Sequence, residues 1–160
     1  MQAKVPSDDG AGLRVAIVAA QWNEAIVRRL LDGALATLRA QGVADEAVEV
    51  VRVPGSFELP DAALWAARGG AAGRPGVGAV IALGCVIRGE TEHFRLVADA
   101  ASQGLLRVAL ETGIPVLNGV LAVENVGQAE SRSGGEHGNT GSQVALAAIR
   151  MANLHARRWA

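Results

Sequence analysis

The ten residues GAVIALGCVI, at 78–87, are apolar without alternation, and this constrains the fold more than any other feature of the chain. A strand wetted on one side alternates apolar with polar residues, whereas a strand covered on both faces does not. A short, β-branched run of this kind reads as a central strand of a parallel sheet. Helices must then lie above and below it, and the remaining segments supply them. LRVAIVAA (13–20) is a second apolar run, AVEVVRV (47–53) alternates like a half-buried strand, and PVLNGVLAV (115–123) is the fourth. Between them, NEAIVRRLLDGALATLRAQG has apolar residues at helical spacing and a stop at Gly42. FELPDAALWAARGG follows the Pro54-Gly55 turn with Ser56 as its prospective cap, and a long helix runs from Thr91, its prospective N-cap, to about Gly113. ENVGQAESRSG reads as a short helix, GGEHGNTG as a glycine-rich linker, and SQVALAAIRMANLHARR as a final helix.

Strands alternating with helices over short connections demand right-handed crossovers and one parallel sheet. The expected fold is α/β: a flavodoxin-like, three-layer α/β/α sandwich around a four-stranded parallel sheet in the order 2-1-3-4. A length of 160 residues suits one domain. Residues 1–12 read as a flexible lead-in and 13–160 as a single domain, with GGAAGRPGVG (69–78) a connector inside it.

Composition removes several function classes. The net charge is −1, without the basic excess that neutralising nucleic-acid phosphates requires. Aromatic residues make up 3%, with no tyrosine, which argues against a strand-length platform for stacking successive exposed bases. No apolar run approaches a membrane span and the lead-in lacks the apolar stretch of a secretory signal, so a cytoplasmic location with no membrane partner is expected. Cys85, alone, closes no internal disulfide and reads as a small buried hydrophobe at a strand end. His93, His137 and His155 show no metal-ligand spacing, and no metal is expected. Lys4 is the only lysine, so no pocket lysine is on offer for a Schiff base. Any imine chemistry must use an amine brought by the substrate.

In an open parallel α/β sheet, ligands bind outside the carboxyl ends of the strands. The first strand delivers Gln21, Trp22 and Asn23 there, and the second delivers Pro54, Gly55, Ser56, Phe57 and Glu58. The third delivers Val86, Ile87, Arg88, Gly89, Glu90, Thr91 and His93; the fourth is expected to deliver Asn118 and Gly119. Gly89 allows close backbone approach, and the free N–H groups of Glu90 and Thr91 at a helix start suit an anion such as phosphate. His93, in the positive field of that helix end, suits a neutral proton acceptor. Each residue also has a plainer reading: a solvated histidine after a helix cap, a core tryptophan at Trp22, a turn residue at Asn118, a C-terminal helix cation at Arg132.

QWNEAIVRRLLDGA, VPGSFELP, ALGCVIRGETEHFRLVADAASQGL, IPVLNGVL, ESRSG and HGNTG, in this order and spacing, resemble the lumazine synthase family from about Val15 to Leu154. The resemblance implies a condensation, without metal or organic cofactor, of 5-amino-6-(D-ribitylamino)uracil with 3,4-dihydroxy-2-butanone 4-phosphate. The products are 6,7-dimethyl-8-ribityllumazine, inorganic phosphate and water. It implies stacking of the pyrimidine on Trp22, backbone contacts from Ser56, Phe57 and Glu58, and flanking by Val86 and Ile87. Phosphate would be held by Glu90, Thr91 and Arg132, and protons shuttled by His93. It further implies a homo-oligomer, either a pentamer or a pentamer-based 60-mer, with Asn118, Arg132 and His137 arriving from the adjacent chain. Trp22 and Asn118 stand where the family usually has phenylalanine, and Thr140 and Gln143 stand where many members carry lysine and glutamate. These departures imply a second-substrate site less dependent on charge. They also keep open an alternative, a weakly catalytic flavin- or lumazine-binding or shell-forming paralogue.

Overall fold

The computed structural model describes residues 6–70 and 75–156. Its main sheet holds β1 (Val15–Ala20), β2 (Val48–Val53), β3 (Ala79–Ile87) and β4 (Val116–Val123), all parallel and ordered β2-β1-β3-β4. The order places the two most apolar strands in the middle. β1 is buried along its whole length and β3 from Ala79 to Val86, while β2 and β4 at the edges are only partly covered. This is the flavodoxin-like α/β sandwich expected from the run at 78–87.

Alternation along β1 feeds two separate cores. Val15, Ile17 and Ala19 face one layer of helices, and Ala16 and Val18 the other. The first core is closed by α1 (Glu24–Ala40) and α5 (Thr140–Ala156), the second by α2 (Leu59–Ala67) and α3 (His93–Thr112). α1 buries Ile26, Val27, Leu30, Ala34 and Leu38, a single stripe at helical spacing. Leu30 is fully buried, so Leu30→Ala is expected to cost about 2–5 kcal/mol through lost transfer energy and the cavity left behind. α5 presses on α1 so closely that a Cβ at Gly141 would run into the Leu30 carbonyl. Asn139 reinforces that contact: its amide donates to the Arg29 carbonyl at 2.9 Å, and its Oδ1 accepts from Ser142 N–H at 3.1 Å.

Three expectations from sequence are corrected. α3 begins at His93, with Glu92 flanking it, and Thr91 Oγ1 receives only a long 3.4 Å bond from the His93 N–H. Ser56 does not cap α2; it lies buried in a 3₁₀ turn, and Glu58 supplies the local cap by accepting from Gly55 N–H at 2.9 Å. GGEHGNTG is no linker. With Ser133 it forms a small antiparallel hairpin of β5 (Ser133–Gly135) and β6 (Gly138–Asn139), placed after α4 (Val126–Arg132). The described part of the lead-in is fastened to the body. Asn153 donates to the carbonyls of Ser7 and Asp9 (2.8 and 2.9 Å), Asp8 pairs with Arg150, and Gly10 N–H donates to the Gln41 carbonyl at 2.7 Å. Lys4, residues 71–74 of the 69–78 connector, and residues 157–158 of the last helical segment lie outside the described residues. No helix among the described residues is long and apolar enough to cross a membrane.

Candidate functional site

At the carboxyl rim the backbone ladder continues past the strands. Gln21 N–H donates to the Val53 carbonyl at 2.8 Å and Trp22 N–H to the Pro54 carbonyl at 3.0 Å, which fixes where the indole leaves the sheet. Asn23 follows at φ 57° and ψ 46°, the only non-glycine residue at positive φ among the described residues. Asparagine tolerates that conformation because its short side chain bonds locally. Here its amide reaches instead to the Cys85 carbonyl at 2.8 Å, tying the β1 loop to the end of β3. Arg52 braces the same loop from β2, donating to the Ala20 carbonyl at 3.1 Å and to the Glu24 carboxylate. Trp22 is therefore 74% exposed on a rigid base.

The rim encloses a cavity of about 460 Å³. Trp22 and Asn23 form one wall, and Ser56, Phe57 and Glu58, from the turn after β2, form another. Val86 and Ile87 line the end of β3, with Thr91 and His93 at the start of α3. Phe57, like Trp22, is largely exposed, so two aromatic faces border the opening. A Cβ at Gly89 would meet nothing within 4 Å, so packing inside the chain does not require glycine there; its bare backbone faces the cavity. The N–H groups of Glu90 and Thr91 meet no acceptor among the described residues. Cys85 is 1% exposed, and burial pushes its thiol up to about 11, which suits the inert hydrophobe expected from sequence.

Eight of the thirteen residues singled out from sequence thus converge on one cavity: Trp22, Ser56, Phe57, Glu58, Val86, Ile87, Thr91 and His93. Asn23, Phe94 and Val97 line it as well and were not singled out as site residues. An asparagine straight after a strand, where the chain must turn left-handed, was the available signal for Asn23; Phe94 and Val97 follow from α3 starting at His93. Five residues stand outside the wall. Arg88 pairs with Glu124 at 3.2 Å and covers the Phe94 ring at 5.5 Å, strapping the loop after β3 to the end of β4. Glu90 is exposed on that loop. Asn118 is not at the carboxyl end of β4, because the strand runs on to Val123. It sits opposite Ala82 in mid-sheet register, donates to Ser102 Oγ at 3.3 Å and accepts from Val120 N–H at 3.0 Å. Arg132 ends α4 and His137 stands in the hairpin, the two joined through Ser131. Among the described residues, no group of three or more His, Cys, Asp or Glu side chains is placed to hold a metal ion.

A cavity of this volume at the carboxyl rim of an open parallel sheet, with aromatic faces and a histidine at a helix start, stands where a fold of this class binds a small-molecule ligand. The chain matches the family model for 6,7-dimethyl-8-ribityllumazine synthase over residues 12–156. It is 51% identical over 141 residues to the 6,7-dimethyl-8-ribityllumazine synthase of Xanthomonas campestris pv. campestris (strain B100), covering 88% of each chain. The synthase of that name from Xylella fastidiosa (strain 9a5c) is 50% identical over 144 residues, 90% of each chain. That from Stenotrophomonas maltophilia (strain K279a) is 52% identical over 141 residues, 88% of each. The chain belongs to the lumazine synthase family, transferases of riboflavin biosynthesis.

Proposed function

We propose that this enzyme condenses 5-amino-6-(D-ribitylamino)uracil with 3,4-dihydroxy-2-butanone 4-phosphate to give 6,7-dimethyl-8-ribityllumazine, phosphate and water. The observation that carries this reading is the convergence of Trp22, the Ser56–Glu58 backbone and His93 on one cavity of heterocycle size. The pyrimidine stacks on the Trp22 indole, and its polar edge and ribityl chain meet the turn after β2. Val86 and Ile87 close over the reacting edge. The butanone phosphate lies with its phosphate toward the unpartnered N–H groups of Glu90 and Thr91, where the start of α3 adds its positive end.

The substrate's 5-amino nitrogen attacks the ketone carbon, and water leaves as the carbinolamine becomes an imine. Loss of the proton on the hydroxyl-bearing carbon expels phosphate and leaves an enol, which tautomerises to a ketone; the ribityl-bearing nitrogen closes on that new carbonyl, and a second water is lost. His93, at the mouth beside Thr91, moves the protons that these steps release and consume. The enzyme contributes no amine of its own; Lys4 is its only lysine and the substrate brings the nucleophile.

The active form is a homo-oligomer, a pentamer or a pentamer-based 60-mer, in which Asn118, Arg132 and His137 complete the cavity of the adjacent chain. Two features support this. Those residues lie outside the cavity of their own chain, and α3 leaves Leu96, Leu106 and Leu110 exposed on one side. Thr140 and Gln143, an uncharged pair at the start of α5, favour a second reading as a ligand-binding paralogue with little turnover. Mixing both substrates with purified protein separates the two. Appearance of lumazine fluorescence supports the synthase, and tight pyrimidine binding without product would overturn it. Sedimentation of the same sample reads the assembly.

A further inference from the structure

Ser131 stands at the corner where α4 meets the hairpin, and its hydroxyl has three partners. Oγ lies 3.0 Å from the Gln128 carbonyl, 3.1 Å from Arg132 Nη1 and 3.3 Å from His137 Nδ1. A hydroxyl has one proton and two lone pairs. With the hydroxyl proton on the Gln128 carbonyl, the nearest of the three partners, the oxygen receives from both other groups. In that arrangement His137 carries a proton on Nδ1, and its Nε2 is left for a partner outside the corner. Arg132 Nη1 has two hydrogens, and both are used, one on Ser131 Oγ and one on the Gln128 carbonyl at 3.1 Å. The Nε–H and Nη2–H groups meet no acceptor among the described residues. These donors form the side edge of the guanidinium, whose parallel N–H bonds match two oxygens of a phosphate. The backbone adds a lock, since His137 N–H donates to the Ser131 carbonyl at 2.8 Å and so holds the hairpin to the helix at the same residue.

We propose that Ser131 is a positioning residue for anion recognition: it turns Arg132 so that the Nε/Nη2 edge is presented, and it sets His137 in the Nδ1–H tautomer beside that edge. The proposal rests on the reading that Arg132 receives the phosphate of the butanone substrate. It concerns a residue that touches neither substrate, and it assigns Arg132 one of its two bidentate edges.

The test uses the assembled full-length enzyme, with inorganic phosphate as the probe alongside the two substrates. Ser131→Ala should raise KM for the butanone phosphate and the inhibition constant of inorganic phosphate by about 3–10-fold, the worth of one ordinary hydrogen bond, since Arg132 keeps its charge and its bond to Gln128. KM for the pyrimidine should stay within about twofold. Ser131→Thr, which keeps the hydroxyl, should restore both anion constants. Nitrogen-15 spectra of the imidazole of His137 should show Nδ1 protonated in the parent enzyme and lose that preference in Ser131→Ala. Arg132→Ala, measured in parallel, separates the two levels of the argument. If it raises the anion constants while Ser131→Ala leaves them and the imidazole signals unchanged, Ser131 positions nothing. If Arg132→Ala leaves them unchanged too, the phosphate reading itself fails. An equal loss in both substrates' KM on Ser131→Ala, without rescue by threonine, marks a general structural role and also overturns the proposal.

Discussion

Around the cavity, the groups offered to a substrate stand just past the ends of buried strands, on loops tied by backbone bonds from Gln21 and Trp22 and by the Asn23 amide on Cys85. At the α4–hairpin corner, Arg132 and His137 stand on a seven-residue helix and a short hairpin, held by the side chains of Ser131 and Asn139. The first region is an extension of the sheet and inherits its rigidity. The second is a small structure of its own, and Arg132 and His137 do not line the cavity of the same chain. On the proposed function, one chain supplies a seat for a flat heterocycle and, separately, an anion grip that lies outside that seat. A division of that kind makes sense when neighbouring copies complete each other.

If the cavity half carries the proton chemistry, His93→Ala should retain pyrimidine binding and lose turnover by on the order of 10²–10⁴-fold, the usual worth of a positioned acid–base group. Unchanged turnover would remove His93 from the mechanism. The two halves should also fail differently when a recognition group is cut away. Trp22→Ala should weaken pyrimidine binding about 10–100-fold, for a stacking face worth roughly 1–3 kcal/mol, while Trp22→Phe should stay close to the parent. Arg132→Ala should raise KM for the butanone phosphate by about the same factor and spare the pyrimidine, because it removes charged hydrogen bonds worth about 1.5–3 kcal/mol. If both variants damaged both substrates equally, the distinction between seat and grip would collapse.

A smaller effect probes the scaffolding of the corner. Asn139→Ala removes the tie to Arg29 and the bond to Ser142 N–H, and denaturant unfolding should register a loss of about 0.5–2 kcal/mol. The pyrimidine constants should be unmoved. The smallest effect concerns Cys85, which lines the cavity but is 1% exposed. Burial holds its thiol up to about 11, so the fold favours the protonated form. The sign follows: this contribution is complete below the ordinary thiol pKa and is lost as the pH rises from there toward about 11. Alkylation at pH 8 should therefore be negligible in the native enzyme and track global unfolding. Rapid labelling without unfolding would show Cys85 to be accessible.

The same contrast decides what could be read in the sequence. Two-sided apolarity at 78–87 gave the central strand, and the rule that ligands sit at strand ends then gave Trp22, Ser56, Phe57, Glu58, Val86, Ile87, Thr91 and His93 without any coordinates. Asn118 escaped that rule because β4 keeps its register with β3 beyond Gly119, up to Val123 opposite Ile87, and no turn residue marks where pairing stops. The cap assignments at Ser56 and Thr91 were displaced because a 3₁₀ turn and a bend intervene before each helix. GGEHGNTG looked like a linker because glycine has little strand propensity; its hairpin is fixed instead by Asn139 reaching α1. Ser131 carried no signal at all, since a serine near a helix end is ordinary until its three partners are seen in space.

The proposed division of the site between neighbouring chains is tested most directly by complementation. His93→Ala and Arg132→Ala subunits, each defective alone in the coupled reaction, are co-expressed and assembled together. If the cavity and the grip come from different chains, random assortment leaves about one site in four with both groups intact, and turnover should recover to roughly that fraction of the parent. Recovery no greater than the average of the two separate variants would mean that His93 and Arg132 act within one chain, which contradicts the account.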